Sequence, residues 1–356
     1  MLGGALVLGG WARWRRRVEP RHGFFIALGS MILANTRPFE GLFVCIPVFV
    51  GIARRGFKDD EKKRVSLVTM LIVCGFSAAL MARYNQEVTG SAFTLPYSLY
   101  EKNYNPAPIF AAFQSPKEPR AYQHDVLRRF FVDWCSEQVD RQSTFRGWWS
   151  YHRERLEWMR AFFVGPLLLP LLVLPWTLRA KTLWVVFGIL SGVMGVHFLT
   201  VGIQPHYAAP LVCCYFLLIV EGMRRISIIR FRGFPLGRFV NTFTCLMVVM
   251  NLALVIERRI NEPSGWETAR HEIERSLLLS GGRHVVVVRY SPDHDLLHEW
   301  VANGADIDSS KIVWAREMSA MKDLRKYFRD RMFWLVDADE AIPTLKAFPE
   351  LSRSER

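Results

Sequence analysis

The sequence has no CxxC pair, no Cys/His cluster, no P-loop, no GxSxG and no Rossmann glycine pattern. The first two absences remove a thiol-redox or zinc-ribbon scaffold; the others remove the common nucleotide and acyl-enzyme sites. Internal repeats and low-complexity tracts are also lacking, as is any Asn-x-Ser/Thr acceptor. Cysteine is scarce, at 6 residues, and badly placed for a disulfide framework. Cys45, Cys74, Cys213, Cys214 and Cys245 fall inside apolar runs, and only Cys135 lies in a polar stretch. They read as small apolar fillers.

What the chain has in quantity is apolar surface. Apolar residues make up 51%, with 12 Trp and 25 Phe, yet 22% of the chain is charged and the net charge is +13. Apolar runs nearly free of charge alternate with stretches dense in it. That pattern excludes a uniform soluble protein and a disordered one.

Spans are expected at about 65–83, 159–178, 182–201, 207–223 and 239–256, each near the ~20 residues that cross a bilayer. The opening MLGGALVLGG is too short to cross and is followed, not preceded, by Arg13, Arg15, Arg16 and Arg17. A signal peptide has the reverse order. The opening reads as the last half of a span, as a truncated chain or a misplaced start would give. Residues 23–53 form an apolar stretch interrupted by Asn35-Thr36-Arg37-Pro38-Phe39-Glu40-Gly41, either one kinked span or two short helices turning at that heptad.

Charge decides between the two. Segments 11–22, 54–64, 179–181 and 224–238 hold eighteen Lys/Arg against four Asp/Glu. Loop 84–158 holds nine of each, and the tail 257–356 sixteen basic against eighteen acidic. Cytoplasmic loops retain Lys and Arg, and only the two-helix reading puts all four basic segments on one side. Arg37–Glu40, loop 84–158, the turn Gly202–His206 and the tail then face outward. The positive excess is a set of topology anchors rather than a stripe, so nucleic acid is not an expected partner.

The expected fold is an α-helical polytopic membrane protein with about seven apolar helices, two of them short, a long outer loop and a small C-terminal α/β domain. The division is 1–83 with a short hairpin at 23–53, an aromatic outer loop at 84–158, four spans in 159–256, and an outer tail at 257–356. In the loop, Tyr122–Val139 carries Val126, Phe130, Phe131 and Trp134 at helical spacing, suited to a membrane surface. In the tail, a helix near 264–280 should end at Gly281-Gly282. Strands at His284–Tyr290, Lys311–Ala315 and Met332–Val336, with a helix from Ser319 to Arg329, suggest a short parallel sheet.

Several constellations could carry chemistry. Ionisable residues at membrane depth are costly and mark substrate paths or polar cavities, which singles out Arg37 and Glu40. Equally, with Pro38 at the first helical position, Glu40 could reach back to the Arg37 amide as a cap. His206, in Gln204-Pro205-His206-Tyr207, could bind an anion or move a proton, or with Tyr207 simply anchor a helix at the interface. His197, within a span, reads as a hydrogen-bonded packing residue. His294 and His298 have the i, i+4 spacing of zinc ligands, with Asp306 or Asp308 as a third, but lack the Glu of HExxH. Asp306/Asp308 and Asp337/Asp339 form DxD pairs, read first as solvated acidic turns.

The Asn35–Gly41 heptad between apolar helices resembles a segment of bacterial GT-C-type membrane glycosyltransferases, in the protein mannosyltransferase and aminoarabinose transferase branch. So do Tyr84-Asn85 with Thr89-Gly90 and Leu95-Pro96-Tyr97, the span entered through Pro205-His206-Tyr207-Ala208-Ala209-Pro210, and the tail beginning near His284–Tyr290. The likeness covers most of the chain through short motifs. It implies transfer of a sugar from a polyprenyl phosphate to a glycan, lipid or protein acceptor on the outer side. It also implies a bacterial inner membrane with the tail in the periplasm, contact with membrane lipid, and a divalent metal as an open cofactor question.

By that resemblance Arg37 and His206 would hold the departing phosphate, and Glu40 would orient Arg37. Tyr84, Asn85, Tyr97, Tyr104 and Tyr207 would meet sugar or lipid. The family's acidic pair in an early outer loop has no counterpart here, so the catalytic base is unassigned. A non-catalytic membrane subunit that binds a lipid-linked glycan is the alternative.

Overall fold

A computed structural model describes residues 1–55, 61–110, 121–122, 124–173, 181–202, 204–261, 265–318 and 321–349. The chain divides into two compact units, Met1–Glu118 with Cys135–Val255, and Pro119–Trp134 with Ile256–Arg356.

The first unit is helical. It opens with α1 (Leu2–Arg16), α2 (Pro20–Thr36), α3 (Pro38–Arg54), α4 (Glu61–Thr89) and α5 (Pro96–Tyr104). Pro20, Pro38 and Pro96 each occupy the first turn, where a missing N–H costs nothing. Residues 23–53 fall into two helices because Arg37 precedes a proline. Its backbone leaves the helical region (φ −147°, ψ 73°), as the clash with a proline ring requires. The short helices pack by close approach of small residues. A Cβ on Gly29 would lie 2.6 Å from the Gly3 carbonyl oxygen, and one on Gly4 would lie 2.2 Å from that of Pro210. Val7, Trp14, Ile26, Leu33, Val44 and Val48 form the centre of this core.

The stretch expected as one amphipathic helix, Tyr122–Val139, is broken. It runs as α6 (Asp125–Arg128), a π-helical turn (Arg129–Trp134) and α7 (Cys135–Asp140). Phe131 is buried, and Arg129 donates to the Pro292 carbonyl at 2.5 Å, so the first part is tied to the tail within the second unit. Helix α8 (Phe145–Met159) follows, capped by Thr144 Oγ1 accepting from the Gly147 amide at 3.1 Å.

The expected span at 159–178 needs correction. Beyond Met159 the chain makes a π-helical turn (Arg160–Val164), a left-handed break at Gly165 (φ 47°), a 3-10 turn (Gly165–Leu167) and α9 (Leu168–Leu171). Pro166 and Pro170 cannot donate to a helical ladder, and composition alone does not register that. Residues 174–178 lie outside the described residues. Next come α10 (Lys181–Leu199), a 3-10 turn (Pro205–Leu211) continuing into α11 (Val212–Ile226), and α12 (Leu236–Asn261).

Among the described residues, three helices are long and apolar enough to cross a membrane. They are Glu61–Thr89, Pro205–Ile226 and Leu236–Asn261, whose apolar 18-residue stretches have mean hydropathies of 2.2, 1.5 and 2.1. Leu183–Leu199 is apolar but shorter. The described chain is mostly helical, and these three helices are what length and hydropathy together mark as able to span a membrane; they do not confirm the expected set of about seven apolar helices.

In the second unit, α13 (Trp266–Ser280) stops at Gly281 and Gly282, both with positive φ. The strands are β1 (His284–Arg289), β2 (Ile312–Arg316), β3 (Met332–Asp337) and β4 (Lys346–Ala347), with α14 (Met321–Tyr327) between β2 and β3. Their order is β2-β1-β3-β4; β1 is parallel to both neighbours, and β4 adds an antiparallel edge. The four valines of β1 are buried on both faces, as parallel strands usually are. Val286 and Val288 join Trp300, Trp314 and Val336 on one side; Val285 and Val287 join Val313, Phe328 and Leu335 on the other.

Candidate functional site

The break between α2 and α3 places Arg37 at the edge of a cavity of about 420 Å³ within the first unit. The Asn35–Glu40 segment forms one wall. Tyr84 and Asn85 come from the last turns of α4, Tyr97 from α5, and Tyr207 from the turn before α11. Six residues singled out from the sequence (Arg37, Glu40, Tyr84, Asn85, Tyr97 and Tyr207) therefore line one cavity. His206 and Tyr104 are not brought to it. His206 is exposed with its ring edge-on to Tyr207 at 4.7 Å, and the Tyr104 ring rests 5.3 Å from that of Tyr100.

The Arg37 guanidinium lies over the Tyr207 ring, 3.7 Å from its centroid. This cation–π contact fixes the fork without consuming its N–H donors. Glu40 is not the partner that the sequence suggests. Its carboxylate is 3.3 Å from His197 Nε2, and both side chains are buried. Nor does Glu40 close a capping box, because the Arg37 amide donates to the Leu33 carbonyl at 2.7 Å. Among the described residues Arg37 has no carboxylate within ion-pair distance, and Glu40 is the one carboxylate that lines the cavity.

Asn85 is 3% exposed. Its Nδ2 donates to the Ala92 carbonyl at 3.1 Å, while Oδ1 is buried without a partner. Thr89 donates back to the Asn85 carbonyl at 2.8 Å, and Gly90 (φ 76°) ends α4. The Tyr84-Asn85 and Thr89-Gly90 motifs are thus one helix terminus, which turns the chain toward Pro96 and Tyr97.

Beneath Glu40 lies a polar cluster that the sequence does not announce. His197, His152 and Arg155 surround a second, very small cavity of about 10 Å³, close to the volume one water needs. His197 Nδ1, His152 Nε2 and the Arg155 Nε and Nη1 atoms are buried without a protein partner. Arg155 Nη2 donates to Gln138 Oε1 at 3.2 Å, and its guanidinium lies against the Tyr151 and Trp158 rings, 4.8 and 4.4 Å from their centroids. Burial, aided by the Arg155 charge, pushes His152 down to about 4. The one signal in the sequence for His197 was an imidazole inside a run otherwise free of charge.

A divalent metal wants several oxygen ligands, and the cavity offers one carboxylate already engaged by His197. Among the described residues no group of three or more His, Cys, Asp or Glu side chains could hold a metal ion. The His294–His298 spacing is not realised on a helix, since 294–298 is turn and coil. His294 Nδ1 pairs with Asp339 at 2.7 Å, and His298 stacks on Trp266. The acidic pairs are occupied as well. Asp306 accepts from the Ser309 amide, Asp308 from the Tyr327 hydroxyl, and Asp337 meets Arg289 and Lys346.

No protein-family model matches the chain, and neither a curated protein nor a solved structure matches it.

Proposed function

We propose that the cavity beside Arg37 receives the phosphate of a polyprenyl-phosphate sugar, as part of a membrane glycosyltransferase that passes the sugar to a glycan, lipid or protein acceptor on the outer side. The observation that carries this reading is a half-buried guanidinium held on a Tyr207 ring, with its donors uncommitted to any described carboxylate, at the edge of a cavity. A guanidinium fork suits a phosphate that gains charge as the sugar leaves. Tyr84, Tyr97 and Tyr207 offer faces to sugar or prenyl chain, and the Asn85 oxygen offers an acceptor for a hydroxyl. The sugar-bearing side, the inner membrane and the periplasmic tail belong to the same proposal and rest on charge distribution and family resemblance.

No general base is assigned. Glu40 is engaged by His197, which favours a second reading: a non-catalytic subunit that binds a lipid-linked glycan. One experiment addresses both. Arg37→Ala in the complete protein should abolish retention of a short polyprenyl phosphate in nanodiscs, and sugar transfer where transfer occurs, while membrane insertion is unchanged. Arg37→Lys should restore retention only in part, because a point charge replaces a fork. Undiminished retention and transfer by Arg37→Ala would make Arg37 a structural residue and end this reading.

A further inference from the structure

A third cavity, of about 470 Å³, lies along α1 where it faces α10 and α11. Its walls are apolar: Ala5 and Leu8 from α1, Val186 and Ile189 from α10, Cys214 and Leu217 from α11. Its rim is cationic and comes from Arg15, Arg16 and Arg55. No acidic residue lines it, and among the described residues none of the three arginines has a carboxylate within ion-pair distance. Arg55 donates to the Arg15 carbonyl at 2.7 Å, which brings the end of α3 to the end of α1. The Arg15 guanidinium rests 5.0 Å from the Trp11 ring centroid. All three arginines are exposed and line the same cavity, and these contacts leave most of the N–H donors of Arg15 and Arg55 free.

The dimensions name the ligand class. Ala5 to Arg15 spans ten helical residues, or ~15 Å at ~1.5 Å per residue. That is half of the ~30 Å hydrocarbon core, the depth of one leaflet. An occupant with a negative head at the arginines and one leaflet's length of apolar chain uses the whole surface. A free phosphate would leave the walls bare, and a zwitterionic headgroup would bring its own cation to three others. The rim also belongs to segments 11–22 and 54–64, on the basic side where anionic lipids attract Lys and Arg.

We propose that this groove binds one anionic phospholipid, its phosphate on Arg15, Arg16 and Arg55 and an acyl chain against α1, α10 and α11. The site is separate from the Arg37 cavity and does not depend on the function proposed for it.

The test is lipid retention by the full chain. The protein is assembled in nanodiscs of equal phosphatidylglycerol and phosphatidylcholine, stripped in mild detergent, and its retained lipid read by native mass spectrometry. One phosphatidylglycerol per chain is expected, and Arg15→Gln/Arg16→Gln/Arg55→Gln should weaken its retention about a hundredfold. Should the triple variant misfold, Ala5→Trp keeps the arginines and fills the groove; it should also lose the lipid. Equal retention of phosphatidylcholine, or retention by Ala5→Trp, would overturn the proposal. So would displacement by millimolar inorganic phosphate, which would mean a headgroup site only, or preferential retention of a polyprenyl phosphate. If no lipid is retained, the groove is covered by protein instead and the proposal falls.

Discussion

Replacing His197 with phenylalanine removes the side-chain partner of the buried Glu40 carboxylate. Glu40 is 7% exposed and His197 4% exposed, so water cannot substitute freely. A hydrogen bond to a charged group is worth about 1.5–3 kcal/mol net, and stranding one member of a buried pair costs about 3–5 kcal/mol. His197→Phe alone should therefore cost about 3 kcal/mol. For large domains, each kcal/mol moves the melting temperature by about 2–4 °C, a fall of roughly 6–12 °C here. Glu40→Gln alone leaves a neutral amide that can still meet the imidazole, and should cost about 1 kcal/mol. In the double variant no carboxylate is stranded, so the loss should be smaller than the sum by about 1.5–3 kcal/mol, a coupling of the size contacting residues show. Thermal unfolding of the four proteins in one detergent measures the cycle. Additivity within about 0.5 kcal/mol would refute the pairing.

Two further outcomes follow from the same structure. His152 sits at about 4 in the folded chain, below the ordinary value of 6.5. The unfolded chain therefore takes up a proton first, so stability is complete above about pH 6.5, falls as pH drops toward 4, and changes no further below that. The loss is at most about 3 kcal/mol by linkage, and His152→Phe should remove that part of the melting-temperature slope between pH 6.5 and 4; an unchanged slope would refute the assignment. Gly281, at φ 73° and ψ 174°, occupies a region that is nearly glycine-only. Gly281→Ala should cost about 1–3 kcal/mol and raise amide exchange along β1; unaltered exchange there would contradict the strain.

Much of the fold was legible wherever a local rule governs. A proline after Arg37 forces its backbone out of the helix, and Gly281-Gly282 stops the helix before β1. Four consecutive valines require a strand covered on both faces. Each of these signals acts within a few residues. The span expected at 159–178 is broken over its described part for the converse reason: mean hydropathy counts apolar atoms and does not register that Gly165, Pro166 and Pro170 interrupt the ladder. The His294–His298 pair shows a related limit. Spacing becomes geometry only on a regular helix, and that segment has none.

The site was legible in part. Four of its residues, Arg37, Glu40, Tyr97 and Tyr207, stand within two positions of a proline or glycine, so the sequence pointed to the ends of helices where a cavity can open. What it could not supply was the pairing, because Glu40 and His197 are 157 residues apart. That pairing changes the chemistry. Had Glu40 faced Arg37, as the resemblance implies, the two charges would have cancelled and the cavity would carry no free donor. Turned instead to His197, the carboxylate is satisfied inside the protein. The guanidinium is steadied by a ring that takes none of its hydrogen bonds. A buried carboxylate thus leaves a nearby cation available to an anion from outside, and the residue that makes this so is the histidine whose place inside a span reads as packing.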